Sequence, residues 1–276
     1  MKLEILMSCM HQSDGSLIGR SGITGDAVVI NQSDHDDYAQ YPTARGRARM
    51  YTTAQRGLTR SRNMAIAHSE ADICMFCDDD EVFVEDYEQK ILDAYARFPQ
   101  ADVIAFKIIN WRASFPDQSR EIRFPDTMKI SSVQLSVRRE SLMRTGVRFD
   151  ELLGSGSGNG AEEELKFLLD CQKNGLKIYY VPVEVARLVD SESAWFGGFD
   201  RKFFYQRGAT TRYILGLPTA LAYAAYYAVK KRNMYKSNIT MGGALAAMLK
   251  GMWDDPVTRQ HRRLRKNAAA EGKDHR

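Results

Sequence analysis

The chain has 276 residues, of which 44% are apolar and 27% charged, with 20 Gly and 7 Pro. This composition excludes a disordered, collagen-like or low-complexity chain, and the length suits one large α/β domain or two small ones. The net charge of +4 is unevenly spread: residues 230–276 hold 12 Lys/Arg against 4 Asp/Glu, whereas the residues before them hold 27 against 31. An acidic body with a basic tail is not the pattern of a nucleic-acid-coating protein.

Cys9, Cys74, Cys77 and Cys171 are too few for a disulfide scaffold, so a reduced, cytoplasmic setting is expected. Residues 1–7 open into a strand-like apolar run, without the flank and cleavage site of a secretory signal. The longest uncharged apolar stretch, 214–229, has 16 residues and is interrupted by Pro218. That falls short of a membrane span.

In chain order, residues 3–9 and 27–31 are short apolar runs ending in polar residues, as buried parallel strands do. Residues 57–69 read as a helix and 73–77 as a buried strand that stops at Asp78-Asp79-Asp80-Glu81. Residues 84–98 place Tyr87, Ile91, Leu92, Tyr95 and Phe98 on one helical face before Pro99. A strand over 102–109 completes three strand–helix alternations, which argues for right-handed βαβ units in a Rossmann-like, mostly parallel central sheet flanked by helices. Beyond it, 110–129 reads as a loop or hairpin and 131–137 as a strand. A glycine loop, 154–160, feeds a helix over 162–174 with Gly175 just past its end, and 177–182 is a strand. After Gly208 the chain reads as helical, and its last twenty residues as solvated or disordered.

The acidic run 78–81 carries the strongest chemical signal. Carboxylates this dense repel one another and favour a compensating cation. The carboxyl end of a parallel strand is also where open α/β sheets bind ligands, and hard divalent cations there share carboxylates with phosphate oxygens. The competing reading is a solvated turn that caps the next helix. Glu162-Glu163-Glu164 opens a helix, where the dipole stabilises carboxylates; one of them as a general base is the sharper alternative. Arg60, Arg62 and Asn63 cluster at a helix start, placed to meet phosphate or the acidic run.

The run Gly57-Leu-Thr-Arg-Ser-Arg-Asn-Met-Ala, followed by Asp72-Ile-Cys-Met-Phe-Cys-Asp-Asp-Asp-Glu, resembles the nucleotide-binding half of family 2 glycosyltransferases of GT-A fold. The resemblance spans roughly residues 3–208 and implies inverting transfer of a sugar from a nucleotide donor, most often a UDP-sugar. It matches the metal motif to Asp78-x-Asp80, with Asp80 the direct ligand of Mn²⁺ or Mg²⁺ and Asp79 between them on the nucleotide side. It matches the acidic base to Glu164, with Glu163 the alternative. Nucleotide contacts are implied near Ser8 and Cys9 and near Asn31, Gln32 and Asp34. The sequence departs from the family pattern in having Glu where the base is usually Asp, and in having no His after 177–182; Asp190 or water is left to complete the metal shell.

Cys74-x-x-Cys77 lies along a strand and reads as core packing rather than a redox pair. The glycine loop lacks a P-loop ending and reads as an acceptor-side segment. Residues 190–199 read either as a lid, with Trp195 on the acceptor and Lys202 and Arg207 on the diphosphate, or as a buried aromatic corner. Residues 215–229, followed by Lys230-Lys231-Arg232, read either as a helix covering the sheet or as one lying in a membrane interface.

The expectation is therefore a GT-A domain over 1–208, a helical extension over 209–256 and a basic tail over 257–276. It acts as a metal-dependent hexosyl-type transferase in bacterial surface-polysaccharide assembly, on a saccharide or lipid-linked saccharide, in the cytoplasm or at the inner membrane face. Nucleic acid is not an expected partner. The rivals are a sugar nucleotidyltransferase and a non-catalytic nucleotide-binding module of the same fold.

Overall fold

The apolar run that opens the chain forms β1 (Leu3–Met10), and its alternate side chains enter two different cores. Ile5 and Met7 pack on one face of the sheet with Tyr87 and Ile91, and Leu6 packs on the other with Ala65 and Ile66. A strand buried on both faces needs apolar residues at successive positions, which is why Ile5, Leu6 and Met7 follow one another without a polar break. The computed structural model describes residues 1–111, 115, 117–160, 162–189 and 198–274. It contains two compact units, Met1–Asp150 with Glu163–Glu192, and Glu151–Glu162 with Ser193–Arg276.

The first unit is a mixed sheet flanked by helices. Its remaining strands are β2 (Ala27–Gln32), β3 (Asp37–Pro42), β4 (Arg47–Thr53), β5 (Ile73–Asp78), β6 (Glu81–Phe83), β7 (Val103–Ile109), β8 (Arg120–Glu121), β9 (Leu135–Arg138) and β10 (Ile178–Leu188). They lie in the order β3-β4-β2-β1-β5-β9-β7-β10-β6, with β8 beside β10. The run β4-β2-β1-β5 is parallel, as is β7 with β10, and β9 is inserted antiparallel between the two blocks. The helices are α1 (Ser16–Arg20), α2 (Leu58–His68), α3 (Tyr87–Arg97), α4 (Arg139–Thr145) and α5 (Glu163–Lys173).

Three departures from the sequence reading have local causes. The helix expected over 84–98 starts only at Tyr87, because Glu81–Phe83 before it forms a strand that pairs with β10. Residues 132–134, read as strand, form a 3-10 turn because Ser131 and Gln134 satisfy each other's backbone in a capping box. The strand expected to end at Pro182 runs on to Leu188, with register shifts around Glu184 that absorb the proline.

The second unit is helical: α6 (Arg201–Leu215), α7 (Leu217–Lys230), α8 (Arg232–Tyr235), α9 (Met241–Asp254) and α10 (Pro256–Asp274). Asp200 caps α6 by accepting the Phe203 N–H at 2.7 Å. The expected boundary at residue 208 thus falls inside α6, and the expected tail is helical to residue 274. Its core gathers Phe204, Tyr227, Tyr235, Met248 and Met252 with small alanines. Gly208 on α6 and Gly251 on α9 let the two backbones meet: a Cβ at Gly208 would overlap the Met248 carbonyl, and one at Gly251 the Tyr205 carbonyl.

Candidate active site

Three parallel strands bring their carboxyl ends together at the centre of the first unit. Ser8 lies opposite Asp78 across β1 and β5, and Cys9 opposite Asn31 across β1 and β2. The strand order changes direction at β1, the switch point where open α/β sheets leave a crevice.

Arg62, in the middle of α2, organises the acidic residues. Its side chain is 2% exposed. Nη2 donates to both carboxylate oxygens of Asp78, at 3.0 and 3.2 Å, and to Ser132 Oγ at 2.6 Å. Nη1 donates to Glu163 Oε1 at 3.2 Å and lies 4.0 Å from Glu164 Oε1. The guanidinium also stands over the Phe149 ring, 5.4 Å from its centroid. Burial by itself disfavours the charge, but Asp78, Glu163 and Glu164 more than offset this and hold the pKa above its ordinary value.

The two glutamates at the start of α5 differ in kind. Glu163 is buried, and burial together with the neighbouring Glu164 charge pushes its pKa up to about 8 against the opposing pull of Arg62. Glu164 is more open, at 17% side-chain exposure, and its Oε1 accepts the Ser132 hydroxyl at 3.1 Å and the Ser132 N–H at 3.4 Å. Ser132 therefore relays between Arg62 and Glu164. The sequence reading did not select it; the signal was the Ser131-x-x-Gln134 capping box, which fixes the turn that carries it.

At the end of β5, Asp79 is exposed and its carboxyl is raised by partial burial and by the charges of Asp78 and Asp80. Glu81 is buried, accepts the Asp78 N–H through Oε2 at 2.8 Å, and leaves Oε1 unpartnered. Burial and the Asp78 charge push its pKa well above the ordinary value.

Several residues expected to touch nucleotide already serve the frame. Asn31 accepts the Gln12 N–H and donates to the Gln12 carbonyl, both at 2.9 Å, pinning the loop after β1. Gln32 accepts the Gly57 N–H at 2.8 Å and so fixes the entry to α2. Asn63 exchanges two 2.9 Å hydrogen bonds with the Phe149 backbone. Ser8 Oγ accepts from Ser61 at 2.8 Å, and burial pushes the Cys9 thiol up to about 12. Arg60 and Asp34 are exposed, with Asp34 lowered by its hydrogen bond to His35.

In the second unit, Lys202 is exposed. Arg207 is engaged by Glu162 at 2.9 Å and Tyr223 at 2.6 Å and sits over the rings of Phe203 and Tyr227. Asp190 and Trp195 lie outside the described residues, so the lid reading does too.

Comparison with known proteins gives this geometry a class. Residues 29–149, a little under half of the chain, match the model of the glycosyl transferase family 2. Residues 1–349 of S. aureus TarS in complex with UDP-GlcNAc superpose with a TM-score of 0.56 at 13% identity, over 86% of this chain and 74% of that one. The same fragment with UDP gives 0.56 at 13% identity over 91% and 81%. No curated protein sequence matches the chain. The fold is GT-A, and fold and family match together define the class: a glycosyltransferase.

The divalent metal that the sequence resemblance implies can be weighed against the donors present. Asp78, Asp79 and Asp80 supply only hard oxygen donors, and their adjacency crowds negative charge, which adds to burial in raising the Asp79 carboxyl. Asp78 is already held by Arg62. Among the described residues no group of three or more His, Cys, Asp or Glu closes into a metal cage. The donor set suits Mg²⁺ or Mn²⁺ held by one or two carboxylates, with phosphate oxygens and water filling the shell.

Proposed function

We propose that the chain transfers a sugar from a nucleotide-sugar, in the first instance a UDP-sugar, to a hydroxyl of a saccharide or lipid-linked saccharide acceptor, with inversion. One observation carries this reading. Two acidic motifs, with Asp78 and Glu163 85 positions apart in the sequence, meet at one guanidinium, which supports a leaving-group site and a base arranged around the same residue. The UDP-GlcNAc and UDP held by the TarS structures support the choice of donor. Bacterial surface-polysaccharide assembly is the setting the family resemblance favours.

Glu164 takes the proton from the acceptor hydroxyl as that oxygen bonds to the anomeric carbon. The bond from that carbon to the diphosphate breaks, and its electron pair leaves on phosphate oxygen. Ser132 donates to Glu164 Oε1 and so turns the carboxylate for that task. Asp80, with Asp78 beside it, would hold Mn²⁺ or Mg²⁺. The ion, when bound, neutralises charge on the departing diphosphate. Arg62 holds Asp78 in place through two hydrogen bonds.

Calorimetric titration with UDP, in Mn²⁺ and again in EDTA, tests the donor site. Binding that disappears in EDTA and in Asp80→Asn is the expected result, followed by transfer from a panel of UDP-sugars. UDP binding indifferent to both would remove the metal assignment. UDP binding with neither transfer nor donor hydrolysis would favour the non-catalytic module.

A further inference from the structure

The outward half of α7 has the wrong chemistry for water. Its inner side, Ala220, Ala224, Tyr227 and Ala228, is buried in the helical core. The opposite side presents Leu217, Leu221, Ala222, Ala225, Tyr226 and Val229, with no charge along the helix until Lys230. Leu221 is 43%, Tyr226 52% and Val229 61% exposed. Single exposed apolar residues are ordinary, but a helix whose whole outer face is apolar marks a surface that meets something other than solvent.

The charge around the helix says what. Lys230 ends the helix, Lys231 and Arg232 follow it directly, all three are exposed, and Lys236 lies one turn further on. Between Asp200 and Asp254 there is no Asp or Glu at all, against nine Lys and Arg. A second copy of the chain would bring these like charges together, whereas a negatively charged surface would neutralise them. With 14 residues, α7 is about 21 Å long. Among the described residues no helix is long and apolar enough to cross a membrane, so a lipid contact here is one of lying on the bilayer.

We propose that the outer face of α7 docks on an anionic phospholipid surface, with Leu221, Tyr226 and Val229 at the acyl boundary and Lys230, Lys231 and Arg232 among the headgroups. Lipid association of this kind needs both an apolar face and a cationic cluster, because either alone gives weak, reversible contact. The docking is independent of the transfer chemistry proposed above.

The test is flotation of the full chain with vesicles of phosphatidylcholine alone and of phosphatidylcholine mixed with phosphatidylglycerol. Binding to the mixed vesicles, falling with salt, is expected. Replacing Lys230, Lys231 and Arg232 by Ser should weaken it on the order of a hundredfold, at about fivefold per basic residue. Leu221→Glu with Val229→Glu, both at exposed positions, should abolish binding while circular dichroism stays that of the parent. In Tyr226→Trp, the added fluorescence should shift to the blue with mixed vesicles. No flotation, equal flotation with neutral vesicles, or a reversible dimer that Leu221→Glu dissolves in the absence of lipid would each overturn the proposal. None of these readouts involves donor or acceptor, so loss of transferase activity leaves the outcome intact.

Discussion

Nη1 of Arg62 stands 3.2 Å from Oε1 of Glu163 in a pocket where both side chains are almost fully shielded from water. A buried pair of this kind contributes little net stability compared with an apolar pair, but losing one member strands the other. Arg62→Met would leave Asp78 without its cation, and above about pH 8, where Glu163 has lost its proton, Glu163 as well. We expect a loss of about 3–5 kcal/mol in urea denaturation. Above about pH 8, where Glu163 has lost its proton, adding Glu163→Gln to Arg62→Met should restore part of that loss, since the amide carries no charge to be stranded. A double variant no more stable than the single one would mean that the pair does not govern the site.

The same glutamate gives stability a pH dependence with a definite sign. Its folded pKa of about 8 lies above the ordinary 4.5, so the folded chain holds a proton that the unfolded chain releases. That contribution is fully present below about pH 4.5 and is lost as pH rises towards 8. Denaturation midpoints measured across this window should therefore fall with rising pH. Glu163→Gln should flatten that fall, and an unchanged slope in the variant would assign the proton elsewhere.

How far the sequence discloses this arrangement depends on whether a signal is local. The apolar strands β1, β2 and β5 and the acidic run after β5 are local patterns, and the structure has these strands end side by side, with Ser8 opposite Asp78 and Cys9 opposite Asn31. Glu164 is legible as a helix-opening carboxylate, although its bond to Ser132 is not. Contacts such as Arg62 to Glu163 join residues that only the sheet brings together, and no period or spacing encodes them. Asn31, Gln32 and Asn63 look like ligand-binding amides because polar residues at strand and helix ends often are; their hydrogen bonds to Gln12, Gly57 and Phe149 belong to the frame. The edge strand β3 carried no clear signal, because none of its residues, Asp37 to Pro42, is buried and no apolar run marks it.

The helical unit offers a test free of any functional assumption. Gly208 and Gly251 occupy the two points where α6 and α9 touch backbone to backbone. Gly→Ala inside a helix ordinarily stabilises by up to about 1 kcal/mol. Here the methyl group has no room, so Gly208→Ala and Gly251→Ala should each destabilise by about 1–3 kcal/mol through overpacking. Thermal melting followed at the helical band would detect it, and a raised midpoint would mean that the helices separate without loss.

The assignment of the base rests on the contrast between two adjacent glutamates. Glu163 is buried and tied to Arg62, whereas Glu164 is more open and is oriented by Ser132. If the acceptor proton goes to Glu164, Glu164→Gln should lower turnover by about 10²–10⁴-fold with little change in the donor Michaelis constant, because the amide still fits but accepts no proton. Ser132→Ala should reduce turnover more mildly, on the order of tenfold, since the carboxylate survives but loses its fixed direction. Glu163→Gln should keep turnover within about tenfold of the parent while altering the pH dependence of stability described above. Steady-state kinetics on the three variants, each checked for folding by circular dichroism, separates the cases. Near-parental turnover in Glu164→Gln, with collapse in Glu163→Gln, would move the base one residue towards the amino terminus and make the buried, proton-holding carboxyl the reactive one.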